Sequence, residues 1–201
     1  MSADTTRPTD TTRPADAPAA NPAPAAGRPG VTVWLTGLSG AGKSTVATAL
    51  ADRLRGQGRR VEILDGDEIR RTISSGLGFS RADRDTHVTR VGFVANLLSR
   101  NGVVTLVPVI APYAETRAAV RAAHVDGGVP FVEVYVATPL AECRRRDVKG
   151  LYGGAATAPM TGDGDPYEAP TSPDVVLDTT DETLNETVEA LYRELTTKGV
   201  L

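Results

Sequence analysis

From Val31 onward, short β-branched or aliphatic runs alternate with longer segments of helical composition. That alternation is the signature of a parallel sheet covered by helices, because each strand must cross back along a helix before it pairs again. The strand candidates are Val31–Thr36, 61–64, 103–109, 131–137 and Val175–Leu177. Helices are expected over 43–55, 83–100, 113–124, 139–146 and 181–197. Thr138 followed by Pro139 reads as a helix start, with proline at the first helical position. The pattern predicts an α/β protein with a five-stranded parallel sheet and helices on both faces.

Two stretches fall outside this pattern. Residues 1–29 are mostly Thr, Pro, Ala and Asp, and their apolar content is mainly alanine, which cannot offset the entropy of ordering a backbone. A disordered tail is expected there, followed by a domain over 30–201. Between Lys149 and Pro173 the chain is rich in Gly, Ala and Pro without periodicity. A loop that long inside a compact domain reads as a lid or binding loop, placed at about 149–173.

Composition narrows the classes. The chain has 201 residues, enough for one domain with a sizeable core. Its net charge of -3 gives no electrostatic case for nucleic acid or an anionic membrane as partner. Cys143 is the single cysteine, so an intrachain disulfide is excluded, and His87 and His124 cannot build a zinc site unaided. No secretory signal and no run of 18 apolar residues is present, so a cytoplasmic location is expected.

The strongest chemical signal follows the first strand. Gly37-Leu38-Ser39-Gly40-Ala41-Gly42-Lys43-Ser44 matches GxxxxGK[ST] between a strand and a helix, the setting of a P-loop. Glycines let backbone N–H groups turn around phosphate oxygens, and the helix start aims its positive end at the same anion. Lys43 is placed to reach the β- and γ-phosphates, Ser44 to ligate magnesium, and Thr45 completes the ATP-binding set. The motif leaves the acceptor open, since GTPases, motors and small-molecule kinases all carry it.

The second strand runs into Asp65-Gly66-Asp67-Glu68-Ile69-Arg70. Ligands of open α/β sheets collect at the carboxyl ends of strands, so these acids would face the phosphates. One of them can hold the magnesium shell or accept a hydroxyl proton, and Arg70 can pair with an anionic substrate. Asp67 also suits a helix cap. Elsewhere Cys143 reads as a buried small hydrophobe, Trp34 as core, and His124 as a helix-end residue whose charge suits the dipole.

Leu64-Asp65-Gly66-Asp67, Arg70, Leu77-Gly78-Phe79-Ser80, Asp83-Arg84, Ala111-Pro112-Tyr113, Arg146-Asp147-Val148-Lys149-Gly150-Leu151-Tyr152 and Asp165-Pro166-Tyr167-Glu168-Ala169-Pro170 follow in this order. With them the chain resembles the adenylylsulfate kinase family from about 31 to 195. The resemblance implies a P-loop fold of the nucleoside-monophosphate-kinase kind. It also implies ATP-dependent phosphorylation of the 3′-hydroxyl of adenosine 5′-phosphosulfate in sulfate activation, with magnesium and a homodimer. It implies that Lys43 and Asp65 are catalytic and that Ser44 and Asp65 hold the metal. Asp67, Arg70, Phe79, Arg84, His87, Ile110, Ala111, Lys149 and Met160 would contact the acceptor, with Phe79 stacking on adenine and Lys149 in the lid.

Several positions depart from the family pattern. Ala111 stands where many members have a phosphorylatable serine, His87 where asparagine is common, and Thr89 in place of an arginine. Met160 falls where a second aromatic often packs on adenine, and the lid is about three residues shorter. The phosphate loop and Asp65 are untouched. The departures bear on the acceptor pocket, so a related kinase with another acceptor and a non-catalytic adenylylsulfate-binding regulator stay open as alternatives. One of Arg144, Arg145 and Arg146 would reach ATP.

Overall fold

Along β1 (Val31–Thr36) successive side chains enter two different apolar layers. Val31, Val33 and Leu35 join one cluster and Trp34 the other, all fully buried. Such two-sided burial is the reason the strand reads as a continuous apolar run. The computed structural model describes residues 29–147, 160–162 and 164–201. The expected tail, apart from residue 29, therefore lies outside the described residues, as does the first half of the expected lid.

Strands β2 (Val61–Ile63), β3 (Val104–Pro108), β4 (Phe131–Val136) and β7 (Val175–Leu177) join β1 in one sheet of order β2-β3-β1-β4-β7. Every pairing in it is parallel. Helix α1 (Lys43–Gly56) contributes Val46, Leu50 and Leu54 to the first layer, and α6 (Leu184–Thr197) contributes Val188, Leu191 and Leu195. Cys143 of α5 (Leu140–Arg146) is buried in the same layer. The opposite layer takes Ile69 from α2 (Gly66–Arg71), Val88, Val91 and Ala95 from α3 (Arg81–Ser99), and Val120 from α4 (Ala114–Asp126). The expected five-stranded sheet with helices on both faces is what forms.

Local chemistry explains where the boundaries moved. Ser80 caps α3 by accepting from the Asp83 amide, so this helix starts at Arg81 rather than at 83. A capping box between Thr183 and Glu186 starts α6 at Leu184 rather than at 181. Pro139 is the N-cap residue of α5 and not its first helical position. A two-stranded ladder of β5 (Met160–Thr161) and β6 (Gly164–Asp165) and the six-residue α2 have no counterpart among the expected elements. Trp34 is core as expected, its ring 5.9 Å from that of Phe131.

His124 corrects the reading of a charged helix end. It is fully buried, with its ring 4.9 Å from Phe131 and Nδ1 against the Val120 carbonyl. Burial lowers its pKa below the ordinary histidine value, so it is a neutral core residue.

Candidate active site

The loop between β1 and α1 is shaped by its glycines. A Cβ at Gly37 would meet the Val136 carbonyl oxygen at 2.5 Å, and Gly42, the N-cap of α1, sits at φ 100. Both positions disfavour a side chain, so the loop turns tightly on its glycines ahead of a 14-residue helix. Lys43 is buried and its Nζ donates to the carbonyls of Gly37 at 2.9 Å and Leu38 at 2.6 Å. The ammonium is thereby folded across the loop mouth. Ser39 and Ala41 are buried, while Ser44 and Thr45 stand exposed in the first turn of the helix.

The back of the loop is braced. The Thr138 and Thr179 hydroxyls lie 2.9 and 3.0 Å from the Ala41 carbonyl oxygen. Arg146 donates to Thr179 through Nη1 to Oγ1 at 2.9 Å and through Nη2 to the carbonyl at 2.6 Å. Arg146 thus turns toward the loop through Thr179 and, like Arg145, pairs with Glu142. Those two arginines hold the Glu142 carboxyl down at about 2.

Asp65 stands at the carboxyl end of β2 and faces the phosphate loop. Its Oδ2 accepts from Ser44 Oγ at 2.7 Å, and its Oδ1 accepts from the Asp67 amide at 2.9 Å, capping α2. The cap is thus Asp65, where Asp67 was the expected one. A hydroxyl and a carboxylate meeting at the mouth of a phosphate-binding loop are the hard oxygen donors magnesium takes, so the residues present fit that ion. Among the described residues no cluster of three His, Cys, Asp or Glu could hold a metal alone, and a magnesium ion here would need the nucleotide's own oxygens.

Of the residues expected to contact the acceptor, Arg70 and Arg84 are gathered around Phe79. Its ring is largely exposed, with the Arg70 guanidinium 4.9 Å and the Arg84 guanidinium 5.6 Å from its centroid. Arg70 Nη1 donates to the Gly78 carbonyl and Arg84 Nε to that of Phe79, so both arginines hold the turn that presents the ring. Arg84 is buried, and also donates to Thr161 Oγ1 at 2.7 Å and pairs with Asp165 at 2.6 Å, which fastens the β5–β6 ladder to α3. His87 lies beneath this group, buried against Ser74 Oγ at 3.0 Å. Burial, with Arg70 close by, holds its pKa down at about 4. Asp67 sits in the first turn of α2, near His87. Ile110 and Ala111 form the loop after β3, with the Ile110 carbonyl accepting from Thr36 Oγ1. Lys149 lies outside the described residues, and Met160 opens β5.

An open cleft of about 480 Å³ is bordered by Leu38 of the phosphate loop and by Gly162, Gly164 and Asp165 to Tyr167, in the β5–β6 ladder and the limb that follows it. A family model for adenylylsulphate kinase matches residues 29–178, three quarters of the chain. The chain belongs to the adenylylsulfate kinase family. It is similar to the adenylyl-sulfate kinase of Picosynechococcus sp., 51% identical over 175 residues that make up 86% of this chain and 97% of the relative. A solved structure of the Mycobacterium tuberculosis APS kinase in complex with AMPPNP and APS is 42% identical, with a TM-score of 0.81 over 85% of this chain and 99% of that one. A hexameric APS kinase from Thiobacillus denitrificans is 40% identical, with a TM-score of 0.67 over 87% of this chain and 30% of that one. As a member of the family the chain is an ATP-dependent, magnesium-using kinase of adenosine 5′-phosphosulfate.

Several residues that shape this kinase site gave no separate signal in the sequence. Tyr167 and Thr36 share a 3.1 Å contact that docks the limb after β6 on the end of β1. Burial raises the Tyr167 pKa well above the ordinary tyrosine value, so its hydroxyl stays protonated. Thr138 and Thr179 brace the loop through hydroxyls that look like any polar strand end. The Pro-Tyr-Glu run within the family motif was the available pointer to Tyr167.

Proposed function

We propose that the enzyme transfers the terminal phosphoryl group of ATP directly to the 3′-hydroxyl of adenosine 5′-phosphosulfate across Asp65, with the kinase domain spanning 30–201 and a lid over about 149–173. The observation that carries the reading is the Ser44–Asp65 hydrogen bond of 2.7 Å. It joins the donor loop to the strand end that leads into the acceptor residues, so both substrates face one carboxylate.

The donor's phosphates occupy the amides of Gly37 to Ser44, and Lys43 leaves the Gly37 and Leu38 carbonyls to meet the charge developing on the transferring group. Ser44 and Asp65 hold magnesium, which offsets phosphate charge when bound. Asp65 positions the acceptor hydroxyl or takes its proton. Phe79 stacks on adenine, and Arg70 and Arg84 receive the phosphosulfate, with Arg84 sharing its guanidinium between substrate and the β5–β6 ladder. Asp67, His87, Ile110, Ala111, Lys149 and Met160 complete the acceptor wall. Positioning and electrostatics supply most of the acceleration.

A panel of acceptors tests this reading. ADP release from ATP should require adenosine 5′-phosphosulfate, and AMP, gluconate or water should support little. Comparable turnover with another acceptor overturns the assignment of the wall.

The same reading places the enzyme in the cytoplasm as a homodimer. In its support, no helix among the described residues is long and apolar enough to cross a membrane. Ile73, Phe93 and Leu97 are exposed apolar residues, with Phe93 and Leu97 one turn apart on α3. Sedimentation velocity should give a dimer for the native chain and a monomer for Phe93→Glu. A native monomer at micromolar concentration overturns the assembly.

A further inference from the structure

Arg117 of α4, to which no sequence motif points, is only 4% exposed. Each arm of its guanidinium goes to a different segment. Nε donates to Glu133 Oε1 of β4 at 2.9 Å, Nη1 to the Ala111 carbonyl at 2.7 Å, and Nη2 to the Glu168 carbonyl at 2.7 Å. Behind it the charge is balanced: Arg121 pairs with Glu133 at 3.5 Å and with Asp174 at 2.6 Å. The forward arms are thus free to hold backbone.

What they hold is unusual. Ala111 has φ 44, a left-handed conformation that a Cβ disfavours and that persists only when its surroundings impose it. Glu168 follows Tyr167 on the limb that leads from β6 to β7. It is stapled to the same loop by two more bonds, its amide to the Pro112 carbonyl at 2.8 Å and its carboxylate to the Ala114 amide at 2.7 Å. Loop and limb are thereby joined, and Arg117 reaches the backbone of both from inside, beside the Thr36 hydroxyl that contacts the Ile110 carbonyl and Tyr167.

We propose that Arg117 is a positioning residue for phosphoryl transfer, which fixes the left-handed Ala111 loop against the Glu168 limb and so sets the acceptor wall. This rests on the reading that the loop after β3 borders the acceptor. Lysine keeps the charge opposite Glu133 but cannot span two carbonyls with the geometry of a guanidinium fork.

Arg117→Lys is expected to raise the KM for adenosine 5′-phosphosulfate about tenfold or more while leaving the KM for ATP within about twofold. Adding Ala111→Gly, which accepts the left-handed conformation unaided, should recover part of that loss. Glu133→Gln keeps both carbonyl bonds, and should lower Tm while leaving the acceptor KM within about twofold. A merely structural role predicts that Tm falls in both variants with no split between the two KM values, and that result overturns the proposal. Phe79→Ala, measured alongside, separates the two failures. An acceptor KM unmoved in both Phe79→Ala and Arg117→Lys refutes the acceptor-wall reading itself. A rise for Phe79→Ala with none for Arg117→Lys refutes only the role of Arg117.

Discussion

Replacing Asp65 by asparagine separates its structural work from its chemical work. Oδ1 caps α2 through the Asp67 amide, and Oδ2 receives the Ser44 hydroxyl. Asparagine is as good an N-cap as aspartate, and its amide group still meets Ser44, so the fold should be kept. What is lost is the negative charge and the ability to take a proton. A positioned base contributes about 10²–10⁴-fold, which is roughly 3–5 kcal/mol of barrier. Asp65→Asn should therefore lower kcat by about that factor while the KM for ATP changes little. Asp65→Ala removes the cap as well, at about 1 kcal/mol. For a chain of this size that lowers Tm by about 2–4 °C, which asparagine should not do. Coupled ADP release gives kcat and KM, and calorimetry gives Tm. If Asp65→Asn kept its kcat within about threefold of the native value, Asp65 would be neither base nor metal ligand.

Lys43→Ala should fold normally and lose about 100-fold or more in single-turnover rate, since a contact made to developing charge contributes roughly 3 kcal/mol; near-native turnover would remove the loop from catalysis. Phe79→Ala should leave Tm unchanged, because the ring is exposed, and weaken acceptor binding about tenfold, as loss of a stacked base does. An unchanged acceptor KM would place adenine elsewhere. His87, with its pKa held at about 4 against an ordinary 6.5, stays neutral in the native protein while the unfolded chain takes up a proton below about pH 6.5. Its stabilising contribution is complete above that pH and is lost as the pH falls toward 4. Urea unfolding at pH 7 and pH 5 should show the loss, smaller in His87→Asn, with His124 supplying a further part in the same direction. An identical loss in that variant would show that His87 does not titrate as argued.

The parts of this enzyme legible in the sequence are those where one residue type answers one local demand. Val31–Thr36 and Val175–Leu177 form strands at the expected residues, and the phosphate loop sits between strand and helix because its glycines permit nothing bulkier. Helix α2 showed only as a helix that Asp67 could cap, since Asp65-Gly66-Asp67 carries the composition of a turn, and only the structure shows that the Asp65 carboxylate is the cap. His124 looked like a helix-end charge because periodicity does not say what covers a residue, and here Phe131 covers it. Arg117 was silent for the same reason. Its three acceptors come from the loop after β3, from β4 and from the limb near 168, which meet only in the folded sheet.

In the proposed reaction donor and acceptor meet across Asp65 and react without a covalent relay. Ala111 carries no hydroxyl, so no phosphoenzyme can form on its side chain. A γ-phosphoryl group made chiral by isotopic labelling and carried to adenosine 5′-phosphosulfate decides the matter. One direct in-line transfer predicts inversion of configuration at phosphorus, and retention would show that a second residue carries the group between the substrates.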